Sequence, residues 1–569
     1  MPSILPLSTT LDFRKAKHLL RRATWVYNID EINALVGKTA SEAVDLLLSY
    51  TDQTLRAPFN PKAGHNAEGY FLDDPVRTEK GDNDRGYITG WWLYNATRFP
   101  SLKYKMSFFL HTSFSMEKRV GGSRPIRYYD HLRLLDYYAL GNIKIFATKM
   151  TLDPAMLDYL SNDQNDAGSP NENYAREFME LFTIMKGPQI GPENYTNYTE
   201  SDVQEAARLL TGYGIDGGRT TFDPDTGIRC GKRLTNKHDF GNKTFSAAFN
   251  NQTILGADRQ GKSYQELEAE MKRELDDFVD MIFSQRETAR AYARKLYRFF
   301  VKSHWNDDVE RDIIEPLADE FIDNDFEVVP ALKKLLSSAH FYDADNDDAT
   351  DEIIGCMIKS PLQLILEIMS VFKCDVPNAV PPEPAGDNYT EEELQECLNW
   401  TYGFAFKFLY RSVFQSIGFD LFDPDSVAGY PAYYQQPDYD RLWFDSSTII
   451  ARYKLVSAFL TGDDNIGDGR SASFIPRLDP VSYVEDNCAN PSDPNSLIVE
   501  LSDLLYPESI DTDRVNYFKS YLVDEGFQDY YWTSAWTAYK VDPSEDSVVR
   551  NRLNALVTAM VNAPEFQTM

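Results

Sequence analysis

The sequence predicts a mainly α fold: a large multi-helix globular protein with a small β-hairpin insertion. Three observations carry this. Apolar residues recur at three- and four-residue spacing through most of the chain. Helix-capping residues open several of those stretches. β-branched residues flanking a turn signal gather in one place, within 214–262.

Taken in order, Thr10 or Asp12 caps a helix carrying Phe13, Ala16, Leu19 and Leu20, and Ser41-Glu42 opens another with Ala43, Leu46 and Leu47 inward. Residues 54–85 are rich in Pro, Gly, Asn and Asp and read as a long surface loop. Helices are expected at 86–98, 102–116, 126–139, 142–150 and 153–161. The segment Ser169–Thr183 begins with a proline and two asparagines, which suit a loop and a helix start. Tyr174, Phe178, Leu181 and Phe182 then face a core, while Asn173, Glu177 and Glu180 form a second line at i, i+4 and i+7. A helix over 200–212 turns Val203, Ala206, Ala207 and Leu210 to one side. Asp223-Pro-Asp-Thr-Gly227 is the hairpin signal and the only clear β element. Helices resume at 265–303, 308–324, 328–338 and 352–373. A proline-rich linker covers 375–389, a helix spans 390–418, an aromatic loop covers 422–444, and a helix follows at 446–461. Residues 462–495 are loop-like, and two or three helices finish the chain. The expected organisation is a main helical domain over 1–374, the linker, and a C-terminal helical region over 390–569 packed on the first.

The net charge of −31 excludes the basic footprint that nucleic acid or an anionic membrane surface requires. It favours solubility, a basic partner or divalent cations. The 34 Tyr and 34 Phe suit sugar or partner binding as well as a habit of composition. Five cysteines, widely spaced and without a CxxC, make neither a disulfide framework nor a zinc site, leaving room for one disulfide. No run of about 18 apolar residues occurs, so no membrane span is expected. The opening Met1-Pro-Ser-Ile-Leu-Pro is too short and proline-broken for a secretory signal, which reads as cytoplasmic.

Several separated blocks carry a resemblance. His18–Thr24, Lys105–His111, Ser169–Thr183, Asp202–Gly212, His238–Phe245, Arg294–Phe300, Ile358–Leu362 and Phe422–Gly429 follow, in order, motifs of the HLLRRATFG, KMTLFWHNHF, NPNENYARELLEL, DVxEAARALTGW and HDxGxKTF kind and their successors. Departures are Trp25-Val26 after the first block, Phe114 in place of a second histidine, and Ser169 for an asparagine. Together the blocks resemble the bacterial domain-of-unknown-function family 1800. The resemblance implies no established activity. It implies relatives that often sit beside a partner of unknown-function family 1501, related to alkaline phosphatases, and that are in many cases exported.

Glu177 and Glu180, one helical turn apart, can do acid–base work if burial separates their pKa values, with Asn173 orienting a substrate or water. Alternatively Glu177 pairs with an arginine, Arg208 or Arg21, and fixes helix packing. His238-Asp239 lies in a loop after the hairpin and either supplies a base or fixes that loop. His18, His111, His131 and His238 come from separate segments and read either as metal ligands or as hydrogen-bonded core histidines. Asp343, Asp345 and Asp347 alternate as in the start of a calcium loop, without its glycine and final glutamate. Tyr430, Tyr433, Tyr434 and Trp443 either stack on a glycan or partner or pack down on the core. No GxGxxG, P-loop, GxSxG or HExxH occurs. Two function classes follow: a binding or scaffold component acting with a partner protein, or a hydrolase of glycans or esters using Glu177, Glu180 and His238, with Asn173, Arg208, His111 and Asp239 in supporting contact.

Overall fold

Asp12 starts the first helix, Phe13–Ala23, by accepting the Lys15 N–H at 2.8 Å. In the computed structural model, which describes residues 2–50, 58, 82–119, 124–345, 352–377, 389–463, 474–524 and 526–569, the chain is mainly helical, at 58%. The next expected start shifts by two residues. Thr39, not Ser41, caps Ala40–Ser49, because Thr39 and Glu42 exchange side-chain and backbone bonds in a capping box.

Several expected helices are broken or rebuilt, among them 308–324, which passes through a π segment at Glu310–Ile314. The stretch 265–303 divides at Ser284-Gln285 into Tyr264–Phe283 and Arg286–Phe300. The stretch 352–373 is helical only over Pro361–Val371, where Ser360 caps and Pro361 sits in the first turn, so the preceding residues are loop. The stretch 390–418 begins as α-helix over Glu391–Leu398, widens to π-helix over Asn399–Val413 and ends as α-helix at Phe414–Ser416. The widened segment lies against helix Asp82–Thr97, where an added Cβ on Gly90 would meet Ala405 Cβ at 3.0 Å and Trp400 Nε1 donates to Gly90 O at 2.9 Å.

The β structure is also more dispersed than one hairpin. Three two-stranded antiparallel ribbons pair Gln189–Gly191 with Asn194–Tyr195, Tyr213–Gly214 with Lys232–Arg233, and Lys243–Thr244 with Thr253–Ile254. The expected hairpin survives as a bridge between Phe222 and Arg229 inside the second ribbon. The acids of its turn meet an ammonium: Lys149 lies 2.6 Å from Asp223 and also contacts Asp225. All five cysteines are free, so the disulfide left open by the sequence is not formed. Most of the expected loop at 54–85 and of the proline-rich linker lies outside the described residues.

One buried apolar cluster runs from Leu7 to Phe566. The sequence blocks cross it as paired polar seams. In the first seam Arg21, Tyr27 and Lys359 converge on the fully buried Glu367 at 3.0, 2.7 and 2.9 Å. Lys105 stands beside them, 2.5 Å from Gln363 and stacked 3.8 Å from the Trp25 ring. In the second seam Asp202 accepts the Ser246 N–H at 2.6 Å, Arg208 donates to Asp239 at 2.8 Å, and His238 Nδ1 donates to Thr211 O at 2.7 Å.

Candidate functional site

The segment Ser169–Thr183 is built as Asn171 directs: its side chain accepts the Asn173 N–H at 3.0 Å and starts an α-helix over Glu172–Glu177. The helix then widens to a π-turn over Phe178–Phe182. Such a turn breaks the regular ladder and frees carbonyls, and π-turns concentrate at functional sites. Here the loose carbonyls are collected. Thr183 Oγ1 donates to Phe178 O at 2.6 Å, Lys295 Nζ to Leu181 O at 2.6 Å, and Tyr292 OH to Phe182 O at 2.6 Å. The last two donors belong to helix Arg286–Phe300, so the Ser169–Thr183 and Arg294–Phe300 blocks meet at this turn.

Glu177 is half-buried at the junction. Burial first, and the neighbouring Glu180 second, push its carboxyl up to about 7. Glu180 is better compensated, accepting the Tyr198 hydroxyl at 3.1 Å and pairing with Lys186. Across from them Tyr159 OH donates to Glu117 at 3.1 Å, and burial, Glu117 and Glu177 together hold that phenol protonated. The result is a carboxyl that exchanges its proton near neutral pH, beside a second carboxylate and two phenols.

The expected pairing of Glu177 with an arginine is corrected. Arg208 holds Glu205 and Asp239, Arg21 holds Glu367, and Arg176, one residue away, holds Glu172 and Glu200. Removing the Glu177 charge should therefore stabilise the protein, where a broken arginine pair would have destabilised it. A raised carboxyl pKa contributes stability that is full below the ordinary value of 4.5 and is lost as pH rises through about 7. Discounted for partial exposure, Glu177→Gln should gain about 1–2 kcal/mol at pH 8 and nothing at pH 4. Urea midpoints at the two pH values check this.

The three expected catalytic residues do not share a site. His238 is buried, bonded to Thr211 O and 3.4 Å from Glu274, which also binds Lys243. Glu177 and Glu180 have none of these neighbours. Asp239 is tied to Arg208 and to the Gly241 N–H, so the Arg208–Asp239 pair secures the loop. Asn173 is exposed, and its Nδ2 donates to Leu160 O at 3.2 Å. His111 is fully buried on helix Leu102–Ser113.

The aromatic segment packs down. Tyr430 and Trp443 are buried and Tyr433 is half-buried, with ring centroids 5.1 Å from Tyr430 to Phe419, 5.7 Å from Trp443 to Phe419 and 5.4 Å from Tyr433 to Phe299. Only Tyr434 faces outward, at 41% exposure. The acidic run is likewise spent internally. Asp343 accepts the Ile353 and Ile354 N–H groups at 2.7 and 2.9 Å, and Asp345 accepts Ser3 N–H at 2.8 Å and His340 Nδ1 at 2.9 Å. Asp347 lies outside the described residues. Among the described residues no group of three or more His, Cys, Asp or Glu side chains is placed to hold a metal ion.

A groove that the sequence did not announce opens between the loop at 352–356, the start of helix Thr512–Lys519 and the final residues. It encloses about 860 Å³ and is lined by Glu352, Glu508, Asp511, Asp513 and Glu565 against Lys302 and Arg514. Arg514 is neutralised by two bonds to Glu565, at 2.8 and 2.9 Å, and lies 4.8 Å from the Tyr517 ring. Arg514 and Tyr517 also border a second groove of about 690 Å³ that reaches Tyr521 and helix Ser547–Val561. The sequence carries no advance sign of it beyond two or three closing helices.

Fold and sites together define a mainly helical protein whose sequence blocks chiefly build buried polar seams, with an acidic groove and a proton-exchanging carboxyl at its margins. The chain belongs to the family described as "Protein of unknown function (DUF1800)", whose model matches residues 18–568. No curated protein and no solved structure matches the chain. No helix among the described residues is long and apolar enough to cross a membrane.

Proposed function

We propose that the protein is a binding component that captures a cationic segment of a partner protein in the groove bordered by Asp513 and Tyr517. The observation that carries this is the imbalance of the lining, five carboxylates against two cations, one of them locked to Glu565. Asp511 is engaged as a helix cap and Glu508 by Arg14, leaving Glu352 and Asp513 outward for an incoming charge. Tyr517, 48% exposed, offers a ring face to a guanidinium or ammonium. The shared border with the second groove gives an extended segment a continuous path. The overall charge of −31 draws such a partner from a distance. A protein of the phosphatase-related family 1501 is the first partner to try, and glycan capture is better tested at the outward Tyr434.

Asp513→Lys combined with Glu352→Lys should weaken binding of an arginine-rich peptide at least 10-fold in low salt, by calorimetry. The wild-type affinity should itself fall as salt rises. Equal affinity for wild type and variant ends the proposal.

A second reading rests on Glu177. A carboxyl with its pKa near 7 beside Glu180 and two tyrosines suits general acid–base hydrolysis of glycans or esters, without His238. Under that reading, turnover on a hydrolase panel should show a pH limb near 7 that Glu177→Gln removes, while Asp513→Lys leaves it unchanged.

A further inference from the structure

We propose that His111 and His131 form a buried two-coordinate site for a monovalent copper ion. His111 stands near the end of helix Leu102–Ser113 and His131 in the middle of helix Pro125–Tyr138. Both rings are fully enclosed, their centroids 6.4 Å apart and their planes at 82°. Among the described residues, neither ring nitrogen of His111 and not the Nε2 of His131 has a hydrogen-bond partner. A neutral imidazole carries one N–H and one lone pair, so three buried nitrogens without partners at one place require an explanation.

The two rings are prepared differently. Asp153 Oδ2 sits 2.9 Å from His131 Nδ1 and is itself fixed by the Met156 N–H at 2.8 Å. That carboxylate accepts the Nδ1–H hydrogen bond, which keeps the proton on Nδ1 and leaves the lone pair on Nε2. Metal-binding histidines are oriented by this kind of carboxylate contact. The spacing then selects among occupants. A direct hydrogen bond between the rings would bring the centroids to about 5 Å. Two metal–nitrogen bonds of about 2 Å give roughly 5 Å between centroids at a tetrahedral angle and about 6 Å in a straight line. The observed 6.4 Å matches the straight line.

The surroundings select the ion. Zinc seeks four ligands, and calcium and magnesium seek oxygens. Here no third His, Cys, Asp or Glu joins the pair among the described residues. The walls are rings: Phe422 lies 4.9 Å and Phe108 and Tyr430 6.0 Å from His111. Lys118, held by Asp420 and Leu421 O, already places a positive charge nearby. An added charge of one is easier to hold there than a charge of two. Among metals that imidazole suits, copper in its lower oxidation state accepts two nitrogens in a line.

The test is an anaerobic titration of the full chain with Cu(I) against a chromogenic Cu(I) chelator, followed by X-ray absorption of the loaded protein. One equivalent should bind, with two nitrogen neighbours and no sulfur, and added zinc should not displace it. His111→Phe and His131→Phe should each lower affinity at least 100-fold, and Asp153→Asn less. If the phenylalanine variants do not fold, the wild-type spectrum decides alone. Sulfur neighbours, a coordination number above two, absence of binding, or undiminished binding by folded variants overturns the proposal.

Discussion

Glu367→Gln should cost about 3–5 kcal/mol of folding stability at pH 6. Glu367 is the one carboxylate at which Arg21, Lys359 and Tyr27 meet, and all four side chains are buried. An isosteric amide keeps the shape but leaves two cations without a counter-charge in a dry interior. The pH dependence gives a second check. Burial alone would raise the Glu367 pKa, but Arg21 and Lys359 outweigh it and hold the carboxyl below its ordinary value of 4.5. A lowered carboxylate contributes stability that is present above 4.5 and lost as pH falls through the folded-state value. The gap between wild type and variant should therefore be wide at pH 6, where Lys359, pushed down to about 7 by burial, is mainly charged, and should close in acid. Urea midpoints at pH 6 and pH 3.5 measure both. A gap independent of pH would place the loss in packing instead of charge.

Gly212→Ala should cost about 3 kcal/mol or more. Gly212 ends the Asp202–Gly212 block with φ +79°, and an added Cβ would lie 2.8 Å from Leu234 O and 3.0 Å from His238 N. Neither neighbour can yield, because Gly212 N–H donates to Asn165 O at 2.9 Å and Leu234 N–H donates to Gly212 O at 2.6 Å. Gly37 is the internal control: its φ is +85°, yet nothing lies within 4 Å of the added carbon. Gly37→Ala should lose only the left-handed preference, about 1 kcal/mol. Equal losses at the two glycines would mean that contact at Gly212 adds nothing.

The helical character was legible because periodicity is a local signal, and Phe13, Leu19 and Leu20 or Val203 and Ala206 needed no partner to be read. The small ribbons were not, since strands of two residues such as Tyr213–Gly214 have no alternation to display. The π-turn at Phe178–Phe182 was hidden for a different reason: its carbonyls are claimed by Tyr292 and Lys295, more than 100 positions later in the chain. The line Asn173, Glu177 and Glu180 assumed an ideal helix, whereas the chain widens to a π-turn after Glu177, and that spacing could not say that Glu177 would go without an arginine. Tyr430 and Trp443 read either as a binding platform or as a loop packed on the core, because composition alone does not distinguish the two, and the structure packs them down. The groove around Asp513 is assembled from four distant segments, at 302, 352–356, 507–517 and 565–568, and no single one of them carries its shape.

The first helix has a consequence for how the protein is made. Its buried face is satisfied almost wholly by late residues: His18 by Phe341 O at 2.9 Å, Arg21 by Leu505 O at 2.9 Å, and Arg22 by Ile353 O and Met569 O at 2.7 Å each. At about 5–20 residues per second of synthesis, those acceptors reach the helix on the order of half a minute or more after it leaves the ribosome. Through that interval the buried cations Lys17, Arg21 and Arg22 lack most of their acceptors. The buried polar groups of this helix are thus satisfied only in a late step, once residues 341–569 have been made.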